Sequence, residues 1–161
     1  MNNNQQLKPI FPVSYSPSTV EYAGFLRRLL AVIIDELAFI GVFLLEIFVL
    51  WILLRISPAI KEATSILQPI FFLILIGFQV WNKVYLLGRT GGTIGKHILG
   101  IKVVKVENME VIGMGTALLR ETIGKFLSSV ILNIGYLMIL WDKRKQALHD
   151  KVVDTIVIKK D

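Results

Sequence analysis

The residues from Arg27 to Leu54, RRLLAVIIDELAFIGVFLLEIFVLWILL, leave a folding chain few choices. The run is long enough to cross a bilayer, which takes roughly 20 predominantly apolar residues. Yet it carries Arg28 at its entrance, Asp35 and Glu36 inside it and Glu46 further along. An ionised carboxylate in hydrocarbon costs at least about 2.5–3.5 kcal/mol, so each acid needs a partner, a proton or a wet cavity. At about 100° per residue, Arg28, Asp35 and Glu46 fall within roughly 20° of one another, while Glu36 points roughly 100° away. The charged stripe must therefore face protein or water rather than lipid.

A second run, from Ile66 to Leu87, also spans, and Pro69 suits a helix start because its missing N–H costs nothing there. Gln79 and Asn82, spaced i, i+3, share a face, and polar amides in lipid seek partners on other helices. That face is expected to meet the Asp35 stripe. The overall hydrophobic fraction, 54% of 161 residues, is only a little above globular usage. It is the clustering of apolar residues into runs of spanning length that argues for a one-domain integral membrane protein over a soluble protein with a buried core. The net charge of +6 comes from Lys and Arg flanking those runs, where they set topology and meet headgroups, so nucleic acid is not an expected partner. Without cysteine there is no disulfide, haem thioether link or thiolate metal site. The opening MNNNQQLKPIFPVSYSPSTV lacks the apolar core of a signal peptide, and residues 1–22 are expected to form a mobile tail.

Lys83, Arg89, Lys96, Lys102 and Lys105 lie in or near the loop after the second run, against only Arg55 and Lys61 between the runs. With Arg27 and Arg28 before the first run, this bias puts the amino terminus and the 89–115 loop in the cytoplasm. The loop's GRTGGTIGKH is not a phosphate-binding Walker loop: Gly91 has three residues, not four, before Gly95-Lys96, and His97 follows. Thr93 to Leu99 is expected to form a short interfacial helix stopped by Gly100, followed by a small hairpin from the β-branched IKVVKV through ENME. The third apolar region, Ala117 to Trp141, is interrupted by Arg120, Glu121, Lys125, Ser128, Ser129 and Asn133, with Glu121 and Lys125 an i, i+4 pair. A single crossing there would carry the basic tail outside, against the charge rule. A bent pair of short helices over 116–141, hinged near Asn133–Gly135, keeps the tail inside, where KVVDTIVI can form a strand over 152–158 pairing with IKVVKV. The expected architecture is thus an α-helical integral membrane protein. It has two full spans, about 27–54 and 66–88, a bent intramembrane helix pair and a small cytoplasmic β-element.

Four segments in this order, AGFLRRLLAVIID, GRTGGTIGKHILGIKVV, LLRETIGK and QALHDKVVDTIVI, resemble the RDD family of small bacterial membrane proteins over nearly all of residues 23–158. The family is named for an arginine at the start of the first helix, an aspartate within it and a second aspartate. These match Arg28, Asp35 and Asp150, the last in a Gln-x-Leu-x-Asp run. The resemblance implies a multi-pass protein of the plasma membrane and points to transport, including sodium–proton exchange in some relatives.

The residues themselves admit two roles for the signature. Arg28 is either a snorkelling anchor or the partner of an intramembrane acid. Asp35 is a structural clamp if it pairs with Arg28 or Arg120, and a proton carrier if it is unpaired. Asp150 is a turn or helix-cap residue, or it closes the cytoplasmic mouth by pairing with Arg28 or Arg120. Glu46, Gln79, Asn82 and Arg120 are candidate partners along an ion pathway. His149 is expected to be an exposed bystander. No nucleophile–base set or metal-ligand set appears, so neither enzymatic activity nor a cofactor is expected. Two functional classes stay open. One is an oligomeric transporter of a monovalent cation and protons. The other is a non-catalytic accessory subunit docking on a larger membrane protein. Either has the lipid bilayer as solvent and both termini in the cytoplasm.

Overall fold

The structure, a computed structural model, describes residues 20–56, 60–126 and 134–160. The expected tail up to residue 19, and Asn133 of the expected hinge, lie outside the described residues. The first apolar run forms one continuous helix, α1 (Phe25–Ile56), two residues longer at each end than the apolar count suggests. The second begins earlier than expected. Helix α2 (Ile60–Val80) carries Pro69 in its interior rather than at its start. It passes without a break into a π-helical stretch, Trp81–Leu86, and a closing α-turn, Leu87–Thr90. Both helices are long and apolar enough to cross a membrane.

Only Arg28, Ala31 and Asp35 of α1 are buried by the rest of the chain. Their i, i+3, i+7 spacing makes one narrow stripe on the first third of the helix. Beyond it the helix shows Leu44, Leu45, Phe48 and Trp51 outward, the composition of a surface made for hydrocarbon rather than water.

A cap of short elements packs on that first third. Helix α3 (Ile94–Ile98) falls inside the expected Thr93–Leu99, and Gly100, at a φ of 61°, supplies the left-handed turn that ends it. Strand β1 (Ile101–Lys105) follows, then helix α4 (Gly113–Leu119), which runs into a second π-helical stretch, Arg120–Gly124. After α5 (Ile134–Leu137), a 3-10 turn (Met138–Leu140) and a loop lead to α6 (Leu148–Val152) and β2 (Thr155–Lys159).

The strand pairing expected between IKVVKV and the tail is present. β1 and β2 are antiparallel, with Ile101 opposite Lys159 and Lys105 opposite Thr155. The tail strand starts at Thr155, not at 152. The segment before it is held as a helix by Asp150, and Asp154, at a φ of 49°, turns the chain between the two. The hairpin after β1 closes through one bridge, Val104 to Val111, and the Lys105 N–H donates to the Glu110 carbonyl at 2.9 Å. On the other side Tyr22 bridges Ile158, and the Ala23 N–H donates to the Val157 carbonyl at 2.9 Å. The segment entering α1 is thus stitched to the C-terminal strand. The core beneath this sheet is small: Ala23, Ala31, Leu87, Ile101, Val103, Ile112, Ala117 and Val157.

Gly95 sets how closely the cap approaches α1. A Cβ there would collide with the Ala31 carbonyl, so only glycine lets α3 lie directly on the helix.

Candidate functional site

Two polar clusters join the cap to the helices, and each is built around a signature aspartate. The first surrounds Asp35, which is 4% exposed. Its Oδ1 accepts from the Gly95 N–H at 2.8 Å and the Asn82 Nδ2 at 3.0 Å, and its Oδ2 accepts from the Thr93 hydroxyl at 2.5 Å. Asn82 completes the arrangement by accepting the Ile94 N–H at 2.9 Å. The first turn of any helix leaves N–H groups without partners inside the helix. In α3 the N-cap residue Thr93 makes no side-chain cap bond of its own. Asp35 from α1 and Asn82 from α2's extension take that role across the fold, with the carboxylate at the positive end of the helix dipole. Asn82 reaches inward from the π-helical stretch, where the widened turn re-aims side chains.

The second cluster surrounds Asp150, which is fully buried. Its Oδ2 accepts from Arg28 Nη1 at 2.5 Å and from the Ala147 N–H at 3.1 Å. Its Oδ1 accepts from Arg120 Nε at 3.0 Å and Nη2 at 2.7 Å. Arg28 also donates to the Ala23 carbonyl at 3.0 Å and the Lys145 carbonyl at 2.5 Å. Glu121 stands 3.5 Å from Arg120 and also pairs with Lys125, as the i, i+4 spacing predicts. Two guanidinium groups thus meet two carboxylates, which is how buried charge is tolerated. Burial by itself would push the Asp150 carboxyl up, but the neighbouring charges, Arg120 foremost, hold it well below the usual carboxylate range. Arg120, like Asn82, sits in a π-helical stretch.

The two expected roles of Asp150 are therefore not alternatives. It caps α6 and it pairs with both arginines. Other expectations need correction. Arg28 and Arg120 were candidates for Asp35, yet both reach Asp150, because the cap folds back over the start of α1 and brings residue 150 closer than either is to Asp35. Among the described residues no hydrogen bond joins Gln79 to Asp35. The π-helical stretch begins at Trp81, after Gln79, so the face carrying Asn82 is rotated from it. Glu46 shares the stripe but not the cluster. Its Oε1 is shielded and has no hydrogen-bond partner among the described residues. It faces a cleft of about 290 Å³ between α1 and α2, lined also by Phe43, Leu50, Gln68 and Phe71.

Three residues escaped the sequence reading. Glu36, off the stripe, pairs with Lys83 at 2.9 Å. Lys96 is buried and donates to the Thr93 hydroxyl at 3.4 Å, and burial, reinforced by Arg120, brings its ammonium down to about 8. His149 is the opposite of an exposed bystander: it is 7% exposed, 3.5 Å from Asp150, with its ring 5.3 Å from that of Tyr136. No local signal marks that burial, since adjacent residues of a helix point about 100° apart.

Burial, with Arg120 adding to it, outweighs Asp150 and brings the His149 imidazole down to about 3. The fold thus holds it neutral, whereas an unfolded chain would protonate it below about 6.5. Its contribution to stability is complete above pH 6.5 and is lost as pH falls toward 3. His149→Phe keeps a ring against Tyr136 and cannot titrate. The wild type should lose on the order of 3 kcal/mol more than this variant between pH 7 and pH 3. Melting curves of both proteins in detergent across that range check it.

A model of the RDD family matches residues 22–154. A proline-rich antigen homolog of Mycobacterium tuberculosis is 27% identical over 159 residues, covering 87% of this chain and 64% of its own length. The uncharacterized membrane protein YteJ of Bacillus subtilis is 28% identical over 142 residues, covering 87% of this chain and 82% of its own. The proline-rich antigen of Mycobacterium leprae is 36% identical over 87 residues, 54% of this chain and 34% of that one. The chain thus spans just under two thirds of the tuberculosis relative's length. No solved structure matches. None of these names carries a catalytic activity. With an arginine and two aspartates arranged as described, and a family match running from the approach to α1 to the turn before β2, this chain is a membrane protein of the RDD family.

Proposed function

We propose that the protein is a non-catalytic membrane subunit, which uses the signature residues to hold its cap rigidly on α1 and offers its spans to another membrane protein. The observation that carries this reading is that both signature acids are held by several fixed donors. A carrier acid must exchange its partner for a proton or a cation. Asp35 faces two neutral side-chain donors and a backbone N–H, and Asp150 faces two arginines, so both have the chemistry of structural joints.

In this proposal the plasma membrane lies between the Glu36–Lys83 pair and Arg55, which rests 5.4 Å from the Trp51 ring. That stretch of α1 is roughly 29 Å long, the thickness of a hydrocarbon core. The cap and both termini lie in the cytoplasm. The stitching of Tyr22 to Ile158 supports a common side for them. Residues 116–141 dip in and return. Arg120 before the dip and Tyr136 after it both contact α6, at Asp150 and His149, which supports a return to the starting side.

One observation favours transport instead. Glu46 lies about 15 Å beyond Glu36 along α1, near mid-depth, and its Oε1 has no partner among the described residues. Proteoliposomes carrying the full chain under an imposed pH gradient separate the two readings. A subunit gives no sodium or potassium movement above protein-free vesicles, whereas flux that disappears in Glu46→Gln establishes transport and overturns the proposal. The cysteine-free chain also gives the topology. With single cysteines introduced in intact cells, an impermeant thiol reagent should label position 64 and not position 159.

A further inference from the structure

We propose that the cleft beside the turn joining the 3-10 helix to α6 is a binding site for the headgroup of an anionic phospholipid. The cleft has a volume of about 340 Å³, and its lining includes Met138, Trp141, Asp142, Lys143, Arg144 and Lys151. That is the size of a small-ligand site, and a glycerophosphate headgroup falls within it.

Position comes first. The Lys145 carbonyl accepts from Arg28 Nη2 at 2.5 Å, which ties this loop to the first turn of α1, on the cap side of the Glu36–Lys83 pair. Just before the loop, Leu137, Leu140 and Trp141 are 41%, 53% and 64% exposed. An exposed Trp beside exposed leucines is costly in water and suited to the headgroup level of a bilayer.

Charge then selects the ligand. Among the described residues Asp142 is the one acid of the lining, and it is already occupied. Its Oδ1 holds Lys151 at 2.5 Å, and its Oδ2 accepts the N–H groups of Arg144 and Gln146 at 2.9 and 3.0 Å. These bonds shape the loop and leave its cations to solvent. Lys143 and Arg144 are exposed, and among the described residues their side chains make no ion pair. Three cations against one committed acid leave two positive charges for a phosphodiester's single negative one. Arginine's planar fork can hold two phosphate oxygens at once, and lysine adds a point charge. A zwitterionic headgroup carries its own ammonium into that positive field and is disfavoured there.

The test titrates the full chain in detergent with phosphatidylglycerol and with phosphatidylcholine of the same acyl chains, counting bound lipids by native mass spectrometry. Phosphatidylglycerol should bind roughly 10–30-fold more tightly, and Lys143→Gln/Arg144→Gln should bring the two lipids level. Lys159→Gln/Lys160→Gln, which removes the same charge away from the cleft, should keep the preference. Both cleft side chains are exposed, so the first variant should melt like the parent. A second measurement holds even if it does not. In a Trp51→Phe/Trp81→Phe background, brominated phosphatidylglycerol should quench Trp141 more strongly than brominated phosphatidylcholine. Equal binding of the two lipids, a preference that survives the cleft variant, or equal loss in the control variant overturns the proposal. Binding of glycerol phosphate with no lipid preference also overturns it, since the site would then serve a soluble anion.

Discussion

Asp150→Asn should cost about 3–5 kcal/mol, the typical price of removing one partner from a buried ion pair. The carboxylate is fully buried between Arg28 and Arg120, which are 8% and 3% exposed. An asparagine has one acceptor oxygen where the carboxylate has two, and its NH2 would point at a guanidinium. Arg28 would then lose its counter-charge and Arg120 would keep only Glu121, at 3.5 Å, in a site too dry to solvate them, and the Ala147 N–H at the start of α6 would lose its cap. Because Arg28 leads into α1 and Arg120 into the third apolar region, the damage should reach all three parts of the molecule. Folded yield and melting temperature in detergent give the measurement. Asp154→Asn is the control: Asp154 is exposed, its φ of 49° suits asparagine, and the change should be neutral. Parent-like melting of Asp150→Asn would mean that the arginines have another source of compensation.

Asp35→Asn should act more locally and cost about 2–4 kcal/mol. Three donors converge on Asp35, and an amide can answer two of them at most through its one oxygen while its NH2 faces the third. The loss should loosen α3 rather than unfold the spans. Hydrogen exchange is the sensitive readout. The amides of Ile94 and Gly95, which bond to Asn82 and Asp35, should exchange faster by tenfold or more, since about 1.4 kcal/mol corresponds to each factor of ten. Exchange in β1 and β2 should change little. A stable variant with unchanged exchange at Ile94 and Gly95 would remove Asp35 from the joint and return it to the list of mobile acids.

The two helices were legible in the sequence because a bilayer imposes length and polarity on each segment separately. Runs of roughly 20 apolar residues suffice, with no knowledge of what packs on them. The pairing of IKVVKV with the tail was legible for a similar reason, since both segments are β-branched and the charge rule puts them on one side. Partners were harder. Helical period showed that Arg28 and Asp35 share a stripe, but their partners come from residues 82, 93, 95 and 150, of which only 82 and 150 were among the expected ones. No local rule relates positions so far apart.

Two features were hidden for a further reason. The π-helical stretches that aim Asn82 and Arg120 have no sequence signature of their own, and they break the regular period on which face assignments rest. Of the Gln79–Asn82 face, Asn82 meets Asp35 as expected, and it is Gln79 that the π-helical stretch turns away. His149 was misread because a lone histidine beside lysines looks solvated. Its burial depends on Tyr136 and Arg120 arriving from elsewhere. By contrast Glu121–Lys125, an i, i+4 pair, was readable outright.

Asp150 and the two arginines it meets act as one joint, and the most direct measurement of that is a double-mutant cycle between Arg120 and Asp150. Arg120→Gln and Asp150→Asn are each melted in the same detergent, alone and together. If the pair acts as a unit, each single change costs several kcal/mol, and the double variant costs less than the sum of the two by about 2–3 kcal/mol. Additive costs, within about 0.5 kcal/mol, would mean that the two residues stabilise the protein independently and would contradict the joint.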